Sequence, residues 1–175
     1  MTSRIKIALG IFIVVLGGVV GYALSQTVLK PKPIHYHAGF QVYVNDQLQS
    51  FRGNQYMHEK PCVMNGHSTS EDDPDDQGEK AHLHDHVGDV VHVHRNGATW
   101  GDLFFNIKYP LEGKITAAYD NGQKVNDILK QPIKPYDSVV IFVGKHSDDQ
   151  KYLKTAVTKS HIQSVEGKSE SCATT

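Results

Sequence analysis

Apolar and polar residues alternate with a two-residue period in two stretches of this chain. In HYHAGFQVYV, Tyr36, Ala38, Phe40, Val42 and Val44 form one row, and His35, His37, Gln41 and Tyr43 form the other. Successive side chains of a strand point to opposite faces, so this segment predicts a strand with one face on a core. Asn45-Asp46 is a turn signal, and residues 47–51 predict the second arm of a hairpin. The second alternation is AHLHDHVGDVVHVH. His82, His84 and His86 alternate with Leu83, Asp85 and Val87, and beyond Gly88-Asp89 the run resumes with His92 and His94 against Val91 and Val93.

The period then changes. Thr99 predicts the N-cap of a short helix, TWGDLFFNI, with Asp102 three residues on as a variant of the capping box. Trp100, Leu103, Phe104 and Ile107 follow helical spacing and should face the core. Residues 114–119 predict a strand, Asp120-Asn121-Gly122 its turn, 125–129 a short connecting element and 138–143 a buried last strand. Hairpin, strand, helix and further strands give an α+β class, arranged as a β-grasp-like mixed sheet with one short helix. Residues 147–175 predict a polar helix, with Asp148 and Asp149 at its N-terminus, followed by a frayed tail.

At the other end, Arg4 and Lys6 precede eighteen residues, 7–24, without a charged or strongly polar side chain. That length can just span a bilayer, so residues 1–29 predict a single-pass signal anchor that holds the domain outside the cytoplasm at the cell membrane. Cleavage after Ser25, with Ala23 also small, would instead release a secreted protein. Gly17 and Gly21 have helix-pairing spacing, which in a glycine-rich stretch is more often composition. Lys-Pro-Lys-Pro at 30–33 predicts a stiff linker, and the histidine-rich domain spans 34–146. Within it, residues 53–80 lack any period and carry the run EDDPDDQGE, so they predict a long mobile acidic loop. Asp73, Asp75, Gln77 and Gly78 resemble the opening of a calcium loop, yet its twelfth position is His84 where a bidentate Glu is required.

A formal net charge of -1, with no Lys/Arg-rich block, removes the electrostatic footprint of a nucleic-acid binder. Cys62 and Cys172 lack CxxC spacing; they can pair only in an oxidising compartment, and Cys172 reads equally as a free thiol.

The histidines carry the candidate chemistry. Each HxH on a strand puts two imidazoles on one face, and neutral imidazole is the commonest protein ligand for zinc and copper. The candidate metal ligands are His35, His37, His82, His84, His86, His92 and His94, with Asp85 as a partner that orients a ring. They form one site or two, and because they exceed what one ion takes, either two ions bind or some of these histidines do not ligate. A second candidate cluster is Met57, His58, Cys62, Met64 and His67, whose soft sulfur donors tilt the choice slightly from zinc toward copper. The leading reading is a metal-binding protein for acquisition, buffering or delivery, exchanging its ion with a donor or acceptor protein. A metal-dependent enzyme with three histidines, an open position and Asp85 or Asp89 as its carboxylate is one alternative. An interaction module whose histidines respond to pH is the other.

Four motifs in order, HYH at 35–37, HLHD at 82–85, VHVH at 91–94 and TWGDLFF at 99–105, resemble those of a group of bacterial membrane-anchored or secreted proteins. Members have an apolar N-terminal segment, an early HxH, a later HxHD followed by IHV, and a TLGxFF helix start. The likeness covers residues 34–144 and departs from the group's pattern at His86, at His94-Arg95 and in the acidic insertion. It implies an extracytoplasmic setting and lends no activity.

Overall fold

The computed structural model describes Phe12, Gly17 and Gly18 and residues 34–58, 77–111 and 113–167. The chain divides into two units, Met1–Pro33 and Ile34–Thr175. Of the first, the three described residues are helical, and the expected membrane span otherwise lies outside the described residues. Among the described residues no helix is long and apolar enough to cross a membrane.

The second unit is a mixed α+β structure around a six-stranded sheet. Its strands are β1 (Tyr36–Val44), β2 (Gln47–Leu48), β3 (Val90–Val93), β4 (Ile115–Asp120), β5 (Gln123–Lys124) and β6 (Ser138–Val143). The order is β2-β1-β6-β4-β5, with β1 and β6 parallel at the centre and β3 antiparallel to β1. Asn45 and Asp46 both have positive φ, as do Asn121 and Gly122, which is the backbone a two-residue hairpin needs to follow the strand twist. The return arm after the first turn pairs only at Gln47 and Leu48, shorter than 47–51.

Ala38, Phe40, Val42, Val91, Val93, Val139 and Ile141 bury one face of the sheet against α1 (Trp100–Asn106), which contributes Trp100, Leu103 and Phe104. The helix begins where the sequence predicts: Thr99 accepts from the Asp102 amide while the Asp102 carboxylate accepts from Thr99, a complete capping box. Asp102 also takes hydrogen bonds from Gln77 at 2.8 Å and Lys80 at 3.2 Å.

The opposite face is covered as well. In place of one polar helix from Ser147, two short ones form, α2 (Asp149–Leu153) and α3 (Lys159–Glu166), capped by Asp148 and Thr158. Tyr152 packs with Tyr43, Val140 and Phe142, while Val157, Ile162 and Val165 pack with Val90. Gly39 makes this approach feasible, because a Cβ there would lie 2.5 Å from the Val157 Cβ. The row of β1 that carries His35 and His37 is therefore a second buried face along much of its length.

Candidate metal centre

The register of β3 on β1 brings the HxH pairs together. His37 stands opposite His92, and Tyr36 opposite Val93. Continuing that antiparallel register puts His35 opposite His94, and their rings lie 4.7 Å apart at 20°. On its other edge β3 bridges the 82–83 segment, with His82 paired to His92 through backbone bonds of 3.0 and 2.9 Å. Outside that, the His58 amide donates to the Leu83 carbonyl at 2.7 Å. Three successive backbone pairings thus align histidines across the sheet. Directly opposed side chains of antiparallel strands share a face, so His37, His82 and His92 do as well.

Ring contacts bind seven imidazoles into one cluster. His58 lies 5.0 Å from His82, His82 5.2 Å from His94, His35 4.7 Å from His37, His37 4.1 Å from His92, and His84 3.5 Å from His92. His37 and His92 are 1 % exposed and His82 6 %, whereas His35 is exposed and His84 and His94 are half-buried. Ligand nitrogens of His35, His92 and His94 all lie within 4.8 Å of one another, so this trio can hold a metal ion.

Several rings are oriented by acceptors on their outer side. His84 places Nδ1 2.8 Å from Asp85 Oδ2, and His82 places Nδ1 3.0 Å from the Gly78 carbonyl. Glu166 Oε1 faces His37 Nδ1 at 3.9 Å. Donation of Nδ1–H to Asp85 leaves His84 Nε2 as the lone-pair nitrogen, and it approaches His92 Nδ1 at 2.8 Å, as His37 Nε2 does at 2.7 Å. Protonation is opposed there. Burial first, then the neighbouring His84, His37, His82 and His35, holds the His92 imidazolium far below the ordinary histidine range. His82 is lowered in the same way by burial and then by His94, His58 and His84.

His86 is not brought into this cluster. Asp85 and His86 both adopt positive φ, and the Val87 amide closes the turn on the His84 carbonyl, so the alternation stops at His84. The His86 ring turns instead to the Arg52 carbonyl, Nδ1 to O 3.2 Å, and makes no ring contact with the other described histidines. Met57 packs against the large core. Cys62, Met64 and His67 lie outside the described residues, as does most of the acidic loop. His58 lies against His82 of the main cluster. Glu166 was not among the residues the sequence singles out; the signal available was the apolar spacing of Ile162 and Val165, which turns its helix onto this face. Asp89 pairs with His161, Nε2 to Oδ2 3.2 Å.

No family model, curated protein or solved structure matches the chain. Function must then be read from the site itself.

Proposed function

We propose that this is a membrane-anchored, extracytoplasmic protein that binds copper or zinc for acquisition, buffering or delivery. The observation that carries the reading is the convergence of His37 Nε2 and His84 Nε2 on His92 Nδ1 beside the His35, His92 and His94 trio. His84 directs Nδ1 to Asp85, which leaves its Nε2 as a lone-pair donor aimed at the point where the other rings converge. A metal cation suits such a group of ring nitrogens where burial disfavours a proton.

Binding is favoured over catalysis by the nearby carboxylates. Asp85 is engaged with His84 and Asp89 with His161, so each named candidate base already has an imidazole partner. An all-imidazole set suits copper and zinc alike; the preference for copper rests on the soft donors Cys62 and Met64 that follow His58 in sequence. The proposal extends to the fold. Leaving β3 aside, the order β2-β1-β6-β4-β5 about a parallel central pair supports a β-grasp-like assignment, which fixes no function.

The test is a competition titration of the full chain in mild detergent with Cu(II) and Zn(II) against a chromophoric chelator. The wild type should bind, and the His92→Ala, His94→Ala double variant should lose more than the roughly 10–100-fold that changes outside the ligand set cause. Absence of binding, or equal binding by the variant, would overturn the proposal.

A further inference from the structure

Resting on that reading, we infer that the cluster is a two-ion centre in which the His92 ring is shared, one ring nitrogen serving each ion. Zinc and copper take about four protein ligands, so the seven rings in mutual contact exceed the need of one ion. Two groups of donor nitrogens within this cluster both include His92. His35 and His94, stacked at 4.7 Å, form the set toward the exposed end, and their ligand nitrogens fall within 4.8 Å of one on His92. His37 and His84 form the other, and both bring Nε2 to Nδ1 of His92. His92 is the ring common to the trio and to the two short Nε2 contacts, while His35 also touches His37 at 4.7 Å and His82 touches His94 at 5.2 Å.

His92 is also the ring best placed to bridge. It sits on the middle strand of three, opposite His37 on one side and His82 on the other, so neighbours fix it from both edges. Its burial excludes water that would otherwise compete for the second nitrogen. When the second ion enters, the one N–H proton of the neutral ring leaves to solvent and the nitrogen lone pair takes its place; no electron changes hands. His37 and His84 must also retreat slightly. Two nitrogens on one tetrahedral ion at 2.0–2.1 Å stand about 3.3 Å apart, so contacts of 2.7 and 2.8 Å open by roughly half an ångström, within side-chain rotation.

The experiment loads the full chain with Cu(II) in steps, measures bound copper by mass spectrometry after desalting, and records electron paramagnetic resonance spectra at each step. Two equivalents are expected, with the integrated signal falling below two spins per protein as the second enters, because a shared imidazole couples the ions magnetically. His37→Ala should retain one equivalent with a normal uncoupled signal, and so should His35→Ala, an exposed position where the change leaves the fold intact. Saturation at one equivalent, or two equivalents with two full uncoupled spins, would overturn the shared ring while leaving metal binding standing. No bound copper or zinc at all would overturn both.

Discussion

Lowering the pH from 7 to 5 should destabilise the metal-free protein through its buried histidines. His82 and His92 are buried, and both have imidazolium forms disfavoured chiefly by burial. The groups facing them add to this: His35, His37, His82 and His84 around His92, and His58, His84 and His94 around His82, with only the Gly78 carbonyl opposing. In the unfolded chain each ring titrates near 6.5. Above that pH both states are neutral and the rings contribute nothing to the slope. Below it the unfolded chain takes up protons that the native state refuses, so the stability falls as pH falls. Between pH 7 and 5 the linkage integral is about 2 kcal/mol per ring, about 4 kcal/mol for the pair. Against a typical domain stability of about 5–15 kcal/mol this is a large fraction. Urea denaturation of the chelator-treated full chain at several pH values measures it. His92→Gln should remove about half of the pH dependence, and saturating zinc should make the low-pH loss steeper by adding competition between proton and ion. Stability that stays level or rises from pH 7 to 5 would refute the claim that these rings are held neutral in the folded state.

Three further outcomes follow from single contacts. Asp102→Ala removes the Thr99 capping box and the acceptor for Gln77 and Lys80, and should lower stability by about 1–2 kcal/mol in thermal unfolding. Gly39→Ala places a methyl 2.5 Å from the Val157 Cβ, should destabilise by about 1–3 kcal/mol, and should raise hydrogen exchange in α2 and α3 more than in α1. Asp85→Asn weakens the hold on the His84 tautomer and should reduce metal affinity roughly 10-fold, read by chelator competition, with little change in unfolding because Asp85 is exposed.

Much of the site was legible in local sequence. The alternations of 36–44 and 91–93 do lie on strands, with His35 and His94 just beyond their ends, and the Thr99–Asp102 spacing does cap a helix, because each depends only on backbone period or on atoms three residues apart. Pairing was not legible. Nothing local tells that β3 runs antiparallel along the first half of β1, and it is this register that sets His37 against His92 and His35 near His94. His86 continues the alternation in sequence, yet the segment makes only isolated bridges at 82 and 83 and then turns through positive φ at Asp85 and His86; Asp tolerates that conformation, but His86 itself gives no signal. The second apolar layer was hidden for another reason. Tyr152, Val157, Ile162 and Val165 are split between two short helices and their link, so no single helical stripe contains them. The row carrying His37 consequently reads as a polar face, whereas helices cover it and His37 is 1 % exposed.

The most direct test of the central claim is an anomalous difference map from crystals of the zinc- or copper-loaded protein, collected at the metal's absorption edge. The account predicts a peak within bonding distance of nitrogens on His35, His92 and His94. A loaded protein whose only peak lies away from these rings would contradict it.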